Sequence, residues 1–264
     1  MPEFSVASFN VHGGIDGWGR PFDVVDACRR LDADVLVLQE TWSPLDEGGG
    51  AKEGLAEEVA ASLGYRLTAV PVAPARRYPV PPDHGAGWGP LGGRRQALGL
   101  RVEVGGRGPG TRSLGRRGVV GIAVLTRLPV AGTDVLDLGR FGRDRVRRVA
   151  LRVTVGGPDV VVVGTHLPHI RHGSPVHVRR LQGLLPDTET PAVLMGDMNM
   201  WGPPLTAMLP GWSRAVRGRS WPAWRPLFQI DHILVTRVVR VMESGVVEIK
   251  GSDHLPVRAQ LAVP

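Results

Sequence analysis

Short apolar runs, most of them rich in valine and bracketed by glycine, proline or aspartate, punctuate this chain from end to end. Such runs read as strands. They predict strands at 4–9, 35–39, 66–70, 98–104, 119–126, 131–138, 147–155, 160–165, 192–195, 229–235 and 257–263. Apolar residues at helical spacing are rarer and predict helices at 22–31, 52–63 and 175–185. Pairs of strands thus alternate with single helices, which fits an α/β protein with mixed, largely antiparallel sheets. No composition change divides the 264 residues, so one domain over 1–264 is expected. The region at about 71–118 stands apart. It is dense in proline, glycine and arginine, and reads as long surface loops around one or two strands.

Composition narrows the class. The apolar fraction of 42% is that of an ordinary globular protein and argues against global disorder. Cys28 is the single cysteine, which excludes an intrachain disulfide and a thiolate metal cluster. It shares helical spacing with Val24, Ala27 and Leu31, so a buried, inert thiol is expected. Residues 1–5 lack the basic and apolar run of a signal peptide, and the longest apolar stretches are too short to span a bilayer. The expectation is a cytoplasmic, monomeric protein without membrane partners. The net charge of +7 suits an anionic partner, though an arginine-biased composition alone would also give it.

Candidate chemistry lies where apolar strands end abruptly in polar side chains. Six such sites occur in order: Asn10 after Ser8-Phe9, Gln39-Glu40-Thr41, Thr165-His166-Leu167, Gly196-Asp197-Met198-Asn199, Ile230-Asp231-His232 and Ser252-Asp253-His254. Each alone would serve as a turn former or cap. Together they place acids, amides and histidines at one end of several strands, where they can converge.

This set, in this order and spread over about 4–262, resembles the endonuclease/exonuclease/phosphatase family that includes DNase I and exonuclease III. The resemblance implies a four-layered sandwich, with two mixed β-sheets face to face and helices outside. It implies a Mg²⁺-dependent phosphoester hydrolase, with Mn²⁺ as the alternative ion. On that pattern Glu40, Asp253 and Asn10 hold the metal, an all-oxygen set suited to a hard cation. His254 is oriented by Asp231 rather than by the adjacent Asp253, since neighbours along a strand point to opposite faces. Asp197 orients or deprotonates the attacking water, Asn199 donates to phosphate or water, and His166 contacts a phosphate oxygen as an imidazolium. His12 lies near Asn10, and His232 should point away; neither is assigned a role.

Other features have plainer readings. His166, His169, His172 and His177 lie close together, but their spacing fits neither a zinc finger nor His-Glu-x-x-His. Trp201, Trp212, Trp221 and Trp224 could stack on bases, but tryptophan more often packs, so partly buried rim residues are expected. The substrate class stays open. A phosphodiester such as nucleic acid comes first, a small-molecule phosphomonoester second, and a catalytically silent binding protein third. The extra substrate motifs of abasic-site repair enzymes are not found. The inositol-phosphatase signature also fails, because no Asp-Arg pair follows Pro222-Ala223-Trp224.

Overall fold

The computed structural model of the protein describes residues 1–77, 100–102, 116–141, 144 and 146–264. Among these, thirteen strands form a 7-stranded and a 6-stranded sheet. The first sheet contains β1 (Glu3–Asn10), β2 (Val35–Pro44), β3 (Arg66–Arg77), β4 (Leu100–Val102), β5 (Arg116–Thr126), β12 (Arg240–Val246) and β13 (Val257–Ala262), in the order β12-β13-β1-β2-β5-β3-β4. The second contains β6 (Val130–Gly139), β7 (Arg148–Val155), β8 (Val160–His166), β9 (Ala192–Asp197), β10 (Trp212–Arg214) and β11 (Asp231–Thr236), in the order β10-β11-β9-β8-β7-β6. The helices are α1 (Val24–Leu31), α2 (Leu55–Leu63), α3 (Ser174–Gln182) and the short α4 (Gly202–Ala207). None is long and apolar enough to cross a membrane.

Each sheet has one parallel pair at its centre, β1/β2 in the first and β8/β9 in the second; the other pairs are antiparallel. A parallel pair needs a crossover, and here α1 and α3 supply it. These central strands are buried on both faces, which explains their continuous apolar runs. In β2, Val35 and Val37 face the space between the sheets, where they meet Val162, Val193, Met195 and Ile233 of the second sheet. Leu36 and Leu38 point outward, under Val24, Ala27, Cys28 and Leu31 of α1 and Val59 of α2. On the far side Val163, Leu194 and Leu234 pack against Val178 and Leu181 of α3 and Leu205 of α4. The result is helix, sheet, sheet, helix, the four layers expected from the sequence.

The helices begin close to their predicted starts. Asp23 caps α1 by accepting from the backbone N–H of Asp26. The proline-rich region is more regular than expected at its borders. β3 runs on through Pro71 and Pro74 to Arg77, with an irregularity between Pro71 and Ala73 that absorbs the misfit, and β5 starts at Arg116. The strand expected at 98–104 is described only as β4, and the rest of the predicted loops lie outside the described residues.

Candidate active site

The two parallel pairs end at the same edge of the sandwich. Asn10 closes β1, His166 closes β8 and Asp197 closes β9. β11 starts there too, with Asp231 directly opposite Asp197. His254 arrives on the segment leading into β13, anchored where Ser252 Oγ donates to the Asn10 carbonyl at 2.7 Å.

Glu40 reaches this edge by a local distortion. Between Gln39 and Thr41 the pairing of β2 with β5 shifts by one residue, and Glu40 occupies the extra position with φ +53°. A bulge of this kind re-aims a side chain, and a left-handed glutamate costs roughly 1–3 kcal/mol that the surrounding sheet must offset. His12 (φ +44°) and Asn199 (φ +47°) share the left-handed conformation, so strained backbone gathers at this edge.

Asp197 Oδ2 is the hub. It accepts from Asn10 Nδ2 and from Asn199 Nδ2, each at 3.2 Å. His166 Nε2 lies 3.6 Å from it and His254 Nε2 3.8 Å. The second oxygen of Asp197 accepts the Asn199 backbone N–H at 2.8 Å. Asn10 Nδ2 also donates to Glu40 Oε1 at 3.2 Å, and His166 Nε2 stands 3.7 Å from that oxygen. The Asn10 amide therefore stitches the first sheet to the second. On the opposite side of its ring, His254 directs Nδ1 to Asp231, at 2.9 and 3.1 Å from the two carboxylate oxygens.

Burial and neighbouring charges together set the charge states of this cluster. Burial lifts the Asp197 carboxyl to about 7, with Asp231 adding to the rise while His254, the Asn199 N–H and the Asn10 amide oppose it. Burial also pushes the His254 imidazolium down, but Asp231, Asp253 and Asp197 together outweigh it and hold its pKa well above the usual 6.5. His166 differs from the sequence expectation. Burial, with Arg148 and His254 as like charges, drives its pKa well below 6.5, so it is a neutral imidazole rather than an imidazolium. Its carboxylate neighbours, at 3.6 Å or more, are too distant for short ionic hydrogen bonds that would reverse this.

Asp253 occupies the flank. Its carboxylate lies 3.4 Å from His12 Nδ1 and accepts from Trp221 Nε1 at 3.4 Å. Burial would raise its pKa, but His12, His254 and the indole N–H prevail and lower it. No hydrogen bond or ion pair joins it to Glu40 among the described residues. The structure thus brings Asn10, Glu40, His166, Asp197, Asn199, Asp231 and His254 into one connected cluster, with Asp253 beside it.

His12 and Trp221 are contacts that sequence reasoning assigned no role. Position near Asn10 was the only signal for His12. Trp221 was expected at the cleft rim, with no signal for its bond to Asp253. His232 points away, as expected, and donates through Nε2 to the Met200 carbonyl at 2.9 Å. His177 is buried with Nδ1 on the Gly173 carbonyl, while the His169 and His172 rings meet edge-on, so these histidines do not form a metal cluster with His166. Of the tryptophans, Trp212 is buried and Trp224 is the expected partly covered residue, packed edge-on against Trp18, whereas Trp201 is more exposed than a packing role requires.

Asp197, Asp231 and His254 offer ligand atoms within 4.8 Å of one another. The Asp231 carboxylate is already taken up by His254 Nδ1, so this trio is not an open cage. Glu40 is a better anchor for a hard cation. Its side chain is 22% exposed, and its Oε2 carries no hydrogen bond among the described residues.

Comparison with known proteins agrees with this fold. Residues 7–254 match the model of the Endonuclease/Exonuclease/phosphatase family. No curated protein matches the chain by sequence. Several solved structures share the fold. An endonuclease/exonuclease/phosphatase from Beutenbergia cavernae aligns with a TM-score of 0.65 at 22% identity, over 100% of this chain and 72% of its own. The human Nocturnin catalytic domain with bound sulfate aligns with a TM-score of 0.60 at 15% identity, over 100% of this chain and 94% of its own. A humanized D. rerio TDP2 aligns with a TM-score of 0.56 at 14% identity, over 99% of each chain.

Proposed function

The chain belongs to the endonuclease/exonuclease/phosphatase family, and from that premise we propose that it is a Mg²⁺- or Mn²⁺-dependent phosphodiesterase or nuclease that attacks phosphorus in line with an activated water. Members of the family are typically phosphoester hydrolases. The observation that carries the reading is the hub at Asp197, with one buried carboxylate oxygen within 3.8 Å of an asparagine pair and two histidines.

The donor set fits a hard divalent ion. Glu40 would hold it, with Asn10 and Asp253 as the further oxygen donors, and no thiolate competes. Bound there, the ion would neutralise phosphate charge and stabilise the leaving oxygen.

The chain's own residues do the rest. Asp197, with its pKa lifted to about 7, is matched to accept a proton from water near neutrality. Asn10 and Asn199 fix that carboxylate by donating to it. The Asp231–His254 pair keeps an imidazolium whose Nε2–H faces the same point and can donate to a non-bridging phosphate oxygen. His166, neutral, supplies one further N–H from the other side. The sulfate bound to the Nocturnin domain is a tetrahedral anion of the shape this arrangement would receive.

The test is a hydrolysis panel in Mg²⁺ or Mn²⁺ and in chelator: plasmid DNA, an abasic duplex, bis-p-nitrophenyl phosphate and p-nitrophenyl phosphate. Chelator-sensitive cleavage of the diesters supports the proposal. Preferential release from p-nitrophenyl phosphate would replace it with a phosphomonoesterase, and inactivity on all four with a binding protein.

A further inference from the structure

Arg77 and Arg116 stand directly opposite each other where β3 pairs with β5. Like charges in that relation destabilise a sheet. No acid compensates them: neither guanidinium forms an ion pair among the described residues. Both instead lie over the Trp42 indole, with guanidinium carbons 5.6 Å (Arg77) and 5.7 Å (Arg116) from the ring centre.

Strand register explains the meeting. Trp42 of β2 is opposite Val120 of β5, and Val120, Gly118 and Arg116 share one face of that strand. The indole lies across Gly118, where a Cβ would collide with its Nε1. Trp42 is buried, and its Nε1–H has no acceptor among the described residues. Arg77 Nη2 donates to the Gly14 carbonyl at 3.2 Å, the one side-chain hydrogen bond of the two arginines among the described residues. Burial, and secondarily Arg116, pulls the Arg77 pKa below its usual value. Three donor groups thus meet with one acceptor between them, an imbalance that a bound anion would correct.

The place lies beside the catalytic edge. Trp42 follows Glu40 by two residues, and Gly14 ends the turn that begins at His12, whose ring stands 3.4 Å from Asp253. Arg116 also borders a cavity of about 430 Å³ with Arg117, Asp46 and Glu47, which gives a ligand room. Neither acid pairs with Arg116 or Arg117 among the described residues, and Asp46 accepts the Gly50 N–H of its own loop at 2.7 Å.

We infer that Arg77 and Arg116, backed by Trp42, form a noncatalytic site for a dianionic phosphate group. Two guanidinium forks offer paired hydrogen bonds to a tetrahedral anion, and stacking on the indole fixes their planes. Two positive charges match a phosphate dianion better than a diester or a carboxylate, each of which carries one. A second phosphate on the substrate and free inorganic phosphate share this chemistry. The site does not depend on the hydrolase reading.

The experiment is isothermal titration of the metal-free protein with inorganic phosphate and with thymidine 3′,5′-bisphosphate, at constant ionic strength in chloride. Catalysis does not enter, so this inference and the hydrolase proposal can fail separately. Wild type should bind phosphate, and Arg116→Gln or Arg77→Gln should raise Kd about 10- to 100-fold. His254→Ala should retain the arginine-dependent binding. Bisphosphate binding at least about 10-fold tighter than phosphate, with the gain lost in Arg116→Gln, would support the site with a substrate-borne group as its source. Equal, arginine-dependent affinities would support it with free phosphate as the source. Arg116 is exposed, so its replacement spares the core, and Arg116→Glu gives Arg77 an internal partner. That variant should melt above wild type in chloride and ignore phosphate. A lower melting point would overturn the inference, as would wild type that binds no phosphate. Binding kept in both glutamine variants but lost in His254→Ala would also overturn it, by placing the anion at the catalytic cluster.

Discussion

His254 donates through Nδ1 to Asp231, 2.9 Å away on another strand, and not to Asp253, its neighbour in sequence. Adjacent residues diverge along an extended backbone, so the orienting carboxylate has to come from elsewhere. Asp231 is delivered by the start of β11, whose register with β9 sets it opposite Asp197. Replacing Asp231 with Asn keeps the shape and removes the charge that holds the imidazolium. Turnover should fall by roughly 100- to 10,000-fold with little change in KM, since general acid–base contributions have this size. Steady-state kinetics on a diester check it, and circular dichroism checks the fold.

Glu40 is expected to anchor the ion. Saturating Mg²⁺ or Mn²⁺, at about 100 times Kd, should stabilise wild type by about 2.7 kcal/mol. For a domain of this size that amounts to a rise in Tm of several degrees, at roughly 2–4 °C per kcal/mol. Glu40→Gln should abolish most of the rise. Thermal melts with and without metal decide it; an undiminished shift in the variant would move the site elsewhere.

Asp197 gives the metal-free protein a pH signature. Its pKa is raised in the fold to about 7 from an unfolded value of about 3.9. A raised pKa means the fold holds the proton more tightly. The contribution is therefore complete below about pH 4 and is lost as pH rises to about 7. His254, held well above 6.5, acts in the same sense: its contribution is full below about 6.5 and is lost as pH rises through the higher folded value. Comparing wild type with Asp197→Asn in urea isolates the first effect from other carboxylates. Between these limits, wild type should lose about 1–3 kcal/mol relative to the variant. A constant difference across the range would contradict the burial assigned to Asp197.

Gly196 lets β9 approach β8 beneath the site. Its φ is +151°, and a Cβ there would collide with the Thr165 carbonyl oxygen. Gly196→Ala should therefore cost about 3 kcal/mol or more, through backbone strain combined with strand separation. It should also displace His166 and Asp197, which end the two strands. Urea unfolding measures the first effect, and diesterase activity the second.

Cys28 is the expected inert thiol. Burial, and secondarily Asp23, raises its pKa to about 12. Its stabilising contribution is full below the unfolded value, about 8.5, and is lost as pH climbs toward 12. Native protein should resist a thiol reagent at mildly alkaline pH and react at once in denaturant.

Much of this was legible in the sequence because central strands leave a plain trace. β1, β2, β8 and β9 are buried on both faces, so their apolar runs are unbroken and their polar ends stand out. The elements that escaped notice have no such contrast. β12 is an edge strand whose Val241 and Met242 are exposed, β10 spans Trp212–Arg214 only, and α4 starts at Gly-Pro-Pro. β3 was cut short at Pro71 because proline argues against a strand, whereas an irregularity in pairing with β5 accommodates it. Within the site, the motif order brought forward residues that the fold gathers at one edge, but their ionisation depends on burial and on neighbouring charges. The neutral state of His166 arises from its surroundings, including Arg148, which no local motif reveals.

The most direct test of the convergent site is kcat/KM for bis-p-nitrophenyl phosphate in Mg²⁺, measured on wild type, Glu40→Ala, Asp197→Ala and His254→Ala. These residues come from β2, β9 and the segment before β13, and what they share is the edge of the sandwich at which they meet. Each variant is expected to stay folded and to lose at least about 100-fold in activity. Wild-type rates in all three purified variants would show that the reaction takes place somewhere else.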